Sequence, residues 1–223
     1  MYVVFDTETT GLPISWNAPS SDVDNWPRVV QVAWEAFDRR GQKIDAQCHI
    51  IRPEGFTIPK KAVEVHGIST AIAKRDGVPL ARVLRAFDDV LGDASVVVAH
   101  NLKFDAAILD AEYHRLSKRA QFRHKIQVCT MRAATEYCAL PGPYGFKWPK
   151  LSELYRELFG KGLKHAHDAA ADVASCARCF FELMRLGIVT LPKRAPNQRM
   201  QRTHSRVTFR AGRAHGPRHA ARR

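Results

Sequence analysis

SVVVAHNLKFDAAIL, residues 95–109, is the stretch that decides the fold. A short apolar run, residues 95–100, leads straight into Asn101, and behind it FDAAILDAEYHRL has the spacing of a helix. A further strand-like stretch lies around IQVCTM, residues 126–131. Strand, helix and strand in succession point to parallel pairing, because parallel neighbours need a long crossover and a helix supplies it. Upstream the pattern is different. Tyr2–Phe5, VVQVAWEAF (29–37) and AQCHIIR (46–52) read as strands, with DRRGQ (38–42) as the hairpin turn between the second and third. These three form an antiparallel meander. Between the two regions, PLARVLRAFDDVL places Leu80, Val83, Leu84, Phe87, Val90 and Leu91 on one helical face. LSELYRELFG and the segment from Asp168 to about Leu186 are two later helices. The expected architecture is α/β: a mixed sheet of about five strands, the first three antiparallel and then parallel, flanked by helices. This domain is expected over residues 1–191, with a basic tail over 192–223.

The bulk numbers agree with one domain of ordinary size. The chain has 223 residues, of which 45% are hydrophobic, and no apolar run approaches the roughly 18 residues of a membrane span. Asp6 and Glu8 interrupt the N-terminus where a secretory signal would need its apolar core. The sequence thus predicts a cytoplasmic protein with no membrane partner. Five scattered cysteines, Cys48, Cys129, Cys138, Cys176 and Cys179, do not make a disulfide framework. Cys176 and Cys179 form a Cys-x-x-Cys within a helical segment and read as buried helix-face residues. The formal charge is +13, yet residues 193–223 hold ten Lys and Arg and no Asp or Glu, leaving +3 for the first 192 residues. That tail has few large apolar residues and is expected to be disordered. It reads equally as a phosphate-binding arm for nucleic acid and as a solvated appendage.

The chemistry is expected in three acidic places. A strand alternates its side chains with period two, so Asp6 and Glu8 in DTETTGL share one face and repel. Asp105 lies in the first turn of the helix behind residues 95–100, at the C-terminal edge of a strand, where α/β sheets place their sites. Asp172 falls near the start of an alanine-rich helix in KHAHDAAADVASC, and His167 stands just before it. Four carboxylates from three segments have a natural common purpose in binding divalent metal. Hard oxygen ligands favour Mg²⁺ or Mn²⁺, and a metal pair serves in-line phosphoryl displacement.

Asp-x-Glu-Thr-Thr-Gly-Leu, His-Asn-x-x-Phe-Asp and His-x-x-x-x-Asp, in this order, resemble the three motifs of the DEDDh, or DnaQ-like, 3′-to-5′ exonucleases of the RNase H-like superfamily. VHGIS, residues 65–69, is similar to a segment found in that family between the first two motifs. The resemblance spans residues 1 to about 187. It implies a nuclease that releases nucleoside 5′-monophosphates from the 3′ end of DNA, with a polymerase or another replication or repair protein as a partner. Asp6, Glu8, Asp105 and Asp172 would hold two Mg²⁺ or Mn²⁺, and His167 would be the general base, a role suited to a group titrating near neutrality. Thr9, Thr10, Gly11 and Leu12 would border the terminal nucleotide, and His100, Asn101 and Phe104 the neighbouring wall. The family spacing selects His167 over His165. In a continuous helix residues 167 and 172 would lie about 140° apart, so His167 is expected on the loop before the helix, with Asp168 as N-cap.

Two segments leave their readings open. Tyr144, Phe146 and Trp148, with Lys147 and Lys150, lie in a Pro- and Gly-rich loop that either meets bases and phosphates or packs as plain surface. PISWNAPSSDVDNWP, with Trp16 and Trp26, is either a flap beside the site or an insertion. Two functional alternatives stand beside DNA hydrolysis: an RNA-directed member of the same family, and a non-catalytic nucleic-acid-binding module. A zinc site from His165, His167, Cys176 and Cys179 fails on spacing, since those positions spread around a helix.

Overall fold

The first strand, β1 (Tyr2–Thr9), is the middle of a five-stranded sheet. On one side it pairs antiparallel with β2 (Val29–Phe37), which pairs in turn with β3 (Lys43–Ile50). On the other it pairs parallel with β4 (Val96–Ala99), Tyr2 opposite Val96, and the order is β3-β2-β1-β4-β5. The change from meander to crossover therefore takes place across a single strand. The structure, a computed structural model, describes residues 1–163 and 168–192. His165, His167 and the residues after Pro192, including the expected disordered tail, lie outside the described residues. Met1–Thr190 forms one compact unit.

After β3 come α1 (Lys60–His66), α2 (Thr70–Asp76) and α3 (Leu80–Asp93). VHGIS is the joint between the first two helices. Gly67 at φ 76° stops α1 in the left-handed region, and the Ser69 hydroxyl accepts from the Ile72 amide to start α2. Beyond β4 lie α4 (Leu102–Arg115), β5 (Ile126–Cys129), two single-turn helices α5 (Thr130–Ala133) and α6 (Thr135–Cys138), and a small hairpin β6 (Pro141–Gly142) and β7 (Gly145–Phe146). The chain then forms α7 (Leu151–Phe159) and α8 (Ala169–Arg185). Among the described residues no helix is long and apolar enough to cross a membrane.

Alternation along β1 sorts its side chains to two layers. Val3 and Phe5 join the core beneath α3 and α4, where Phe5 meets Phe87 and Phe122 with ring centroids 5.5 and 6.2 Å away. Tyr2 lies against α8, edge-on to Phe180 and Phe181 at 5.6 and 5.7 Å. The expected stripe of α3 is buried at Leu80, Val83, Leu84, Phe87 and Leu91. Every residue of β4 is buried, as befits an inner parallel strand covered on both faces.

Four local expectations shift, the first being that β1 runs past Phe5 to Thr9, because its ladder with β2 continues through the acids. The third strand runs Lys43–Ile50 rather than 46–52, because the turn closes early and Lys43 already pairs with Phe37, while Ile51 leaves the ladder for a separate bridge to Val78. The strand near 126–131 stops at Cys129, opposite Ala99, where β4 ends and offers no further ladder partner. The Pro- and Gly-rich loop contains a two-stranded ladder, with Gly145 at φ 115° in its turn.

Candidate active site

The end of β1, the first turn of α4 and the first turn of α8 supply the four carboxylates. Asp6, Glu8 and Asp172, all half-buried, each offer an oxygen, and these atoms lie within 4.8 Å of one another. Asp105 is held differently. Its Oδ1 accepts from both the Thr7 amide (3.1 Å) and the Thr7 hydroxyl (2.8 Å), and the residue is 3% exposed. Thr7, which no spacing argument singles out, thereby fastens α4 to the strand that carries Asp6 and Glu8. The only signal for it in the sequence is its place between two acids. Asp168 caps α8, accepting from the Ala170 and Ala171 amides, and so sets the start of the turn that carries Asp172.

The electrostatics show what this packing demands. Burial, followed by the charges of Asp105, Asp172 and Glu8, pushes the Asp6 carboxyl well above its ordinary range. Burial with Asp172, Asp105 and Asp168 raises Glu8 to about 8. Burial lifts Asp105 to about 7 against the opposing hydrogen bonds of Thr7. Each ionised carboxylate makes the others harder to ionise, so the group stays charged only if a cation compensates it. An all-oxygen donor set of this kind fits a divalent cation.

The neighbouring turn is rigid. Thr9 donates its hydroxyl to the Gly11 carbonyl at 2.7 Å, and Thr10 exchanges hydrogen bonds with the backbone of Arg28. Gly11 sits at φ 153°, a conformation that residues with a Cβ rarely adopt. Leu12 projects into solvent. Arg28 is in turn paired with buried Glu112 at 2.9 Å, and Glu112 also accepts from the Val29 amide. Sequence reasoning missed this pair, since Arg28 and Glu112 lie 84 residues apart.

His100, Asn101 and Phe104 have separate surroundings. Both His100 ring nitrogens are engaged, Nδ1 with the Thr130 hydroxyl and Nε2 with the Pro149 carbonyl, each at 3.0 Å. Burial depresses its pKa to about 4, so the ring is neutral near pH 7. A carbonyl only accepts, which makes Nε2 the protonated nitrogen and Nδ1 the acceptor. Asn101 adopts φ 69°, turning the chain from β4 into α4 within two residues. Phe104 lies against Trp16, ring centroids 5.6 Å apart. Cys176 and Cys179 are buried on α8, with thiol pKa values raised by that burial.

A mixed sheet carrying acids at the end of its central strand and on two flanking helices makes this an α/β protein with a candidate divalent-cation site. The sequence profile described as Exonuclease (RNase_T) matches residues 3–180. The chain belongs to this exonuclease family, the DnaQ-like group of the RNase H-like superfamily. The DNA polymerase III PolC-type of Streptococcus suis (strain 98HAH33) is 30% identical over 184 residues, 82% of this chain and 11% of that protein. Its counterpart in Streptococcus pyogenes serotype M2 (strain MGAS10270) is 36% identical over 114 residues, 51% of this chain and 7% of that one. This chain thus spans only about a tenth of the length of such relatives. Among solved structures, E. coli exonuclease I in complex with a dA16 oligonucleotide aligns with a TM-score of 0.65 and 19% identity, covering 83% of this chain and 40% of that one. Exonuclease X in complex with 5′ overhanging duplex DNA gives 0.55 and 22%, covering 84% and 93%. At these identities the two structures show a shared fold.

Proposed function

We infer that this protein hydrolyses phosphodiester bonds at the 3′ end of single-stranded or frayed DNA and releases nucleoside 5′-monophosphates. The observation that carries this reading is the convergence of Asp6, Glu8 and Asp172 within 4.8 Å, with Asp105 fastened to the same strand by Thr7. The four carboxylates would hold two Mg²⁺ or Mn²⁺, which when bound supply Lewis-acid stabilisation of charge on the phosphate and activation of water. His167, on the segment before Asp168, takes the proton of the attacking water. The water oxygen bonds to phosphorus, the bond from phosphorus to the 3′ oxygen of the preceding nucleotide breaks, and that oxygen is protonated to give a new 3′ hydroxyl. Thr9, Thr10, Gly11 and Leu12 border the departing nucleotide, where the hydrogen-bonded turn fixes its orientation. The neighbours with bound DNA support this substrate class, and the polymerase relatives support proofreading or repair beside a polymerase. The basic tail adds sequence-independent attraction for the strand.

The test is degradation of matched 3′-labelled and 5′-labelled single-stranded DNA and RNA with Mg²⁺, Mn²⁺ or EDTA, using wild type and His167→Ala. Metal-dependent shortening from the 3′ end that nearly vanishes in the variant supports the assignment. Absence of degradation with retained binding would transfer it to a binding module, and faster loss of RNA would make it an exoribonuclease.

A further inference from the structure

At the start of α4 lies a cleft of about 470 Å³, lined by Trp16, Asn101, Lys103, Met131, Arg132 and Trp148. Its two tryptophans come from the two segments whose roles the sequence leaves open. Trp16 is 44% exposed and Trp148 57%, unusual for the largest apolar side chain in a folded chain. Neither stands on a loose loop. Around Trp16, the Ser15 amide donates to Asn25, the Trp26 indole donates to the Pro19 carbonyl at 3.0 Å, and Arg115 on α4 donates to the carbonyls of Val23 and Trp26. Around Trp148, the β6–β7 ladder closes one side and His100 grips the Pro149 carbonyl on the other. The Arg132 guanidinium lies 5.3 Å from the centre of the Trp148 ring, and Trp16 backs onto Phe104. The cleft is therefore built before any ligand arrives, which lowers the ordering penalty of binding.

We propose that this cleft seats an unpaired nucleobase of the bound strand, one further from the 3′ end than the nucleotide at Thr9–Leu12, and so makes an unpaired 3′ segment the preferred substrate. The volume is that of a small-molecule site. Aromatic walls offer stacking to any base, and a base already stacked in a duplex is unavailable to them. Lys103 and Arg132 supply the positive charge that a phosphodiester backbone needs. Trp16 packs on Phe104, which directly precedes Asp105, and Asn101 stands at the N-cap of the same helix, so the cleft opens at the end of α4 that carries Asp105. The proposal takes its substrate class from the nuclease reading above, while the cleft itself is independent of it.

Binding of fluorescent single-stranded oligonucleotides by anisotropy, in an Asp6→Asn background, tests the cleft apart from the chemistry. W16A and W148A are expected to weaken binding roughly 5- to 150-fold each, the range of one lost base stack, and W148F should recover most of it. One abasic site, walked along the strand, should cause the same loss at a single internal position and no additional loss in W148A. In the active protein the same variants should raise KM and leave kcat nearly unchanged. Parent-like affinity in both tryptophan variants, or no position sensitive to base removal, overturns the proposal. Tryptophan-dependent binding without degradation would uphold the cleft and defeat the nuclease reading; degradation indifferent to both tryptophans would do the reverse.

Discussion

The carboxylate centre and the tryptophan cleft meet at the first turn of α4, and they are built in opposite ways. The centre stands on regular elements, β1, α4 and α8, and gathers like charges that destabilise one another. The cleft takes its two tryptophans from irregular segments stitched down by side-chain bonds to backbone carbonyls, sets them against Lys103 on α4 and Arg132 on α5, and so combines aromatic surface with cations. The contrast separates two tasks. Chemistry needs groups placed to a fraction of an ångström, which strands and helices provide. Grip on a flexible polymer needs a shape, and loops on a rigid scaffold can vary that shape without disturbing the centre.

The largest expected effect falls on the centre alone. Asp6→Asn and Asp172→Asn should lower kcat by roughly 10³-fold or more, since several kcal/mol of charge stabilisation are lost with a ligand. Their unfolding midpoints in EDTA should hold or rise, because each variant removes a repelling charge. Turnover of either variant within about tenfold of wild type would break the distinction between the two regions.

The next effect is on stability and its pH dependence. Glu8 is raised to about 8 and Asp105 to about 7, so the folded protein keeps protons that the unfolded chain has already released. The stability from this linkage is fully present below the unfolded values near 4 and drains away as pH rises through about 7 to 8, by an order of a few kcal/mol after allowing for screening at Glu8. Thermal unfolding in EDTA at about pH 5 and about pH 9 should show the decline, and saturating Mg²⁺ should flatten it. A metal-free protein as stable in alkali as in acid would contradict the mutual repulsion.

Thr7→Val keeps the shape of the side chain and deletes one of the two bonds to Asp105. A hydrogen bond to a charged group contributes about 1.5–3 kcal/mol. A fall in kcat of around tenfold and a higher Mg²⁺ requirement are expected, with KM for single strands little changed. A KM effect of the size seen in W148A would instead couple the centre to the cleft. The smallest effect belongs to Asp168→Ala, which removes the α8 cap and should reduce stability by about 1 kcal/mol in denaturant titration. Activity should fall by less than in Thr7→Val, because Asp168 sets the turn that carries Asp172 without itself belonging to the convergent group of Asp6, Glu8 and Asp172.

Much of this was legible in the sequence, for a local reason. Period two put Asp6 and Glu8 on one face, the spacing of Leu80, Val83, Leu84, Phe87 and Leu91 described α3, and the passage from residues 95–100 into Asn101 marked the parallel crossover from β4 to β5. Such patterns depend on the repeat of a single strand or helix, and neighbouring residues carry the whole signal. The strand ends were less legible, because Cys129 and Lys43 end or begin ladders according to what the partner strand offers.

What only the tertiary structure decided are the contacts between segments far apart in the chain. Thr7 reaches Asp105 across 98 residues, and His100 reaches Pro149 across 49. The tryptophans of two segments with no shared period come to line one cleft. The sequence by itself determined the α/β alternation, the acids and their places on strand and helix, because those follow from backbone geometry repeated locally. Which hydroxyl holds which acid, and which two loops make one cleft, depends on how helices pack over the sheet, and close packing is a property of the whole molecule.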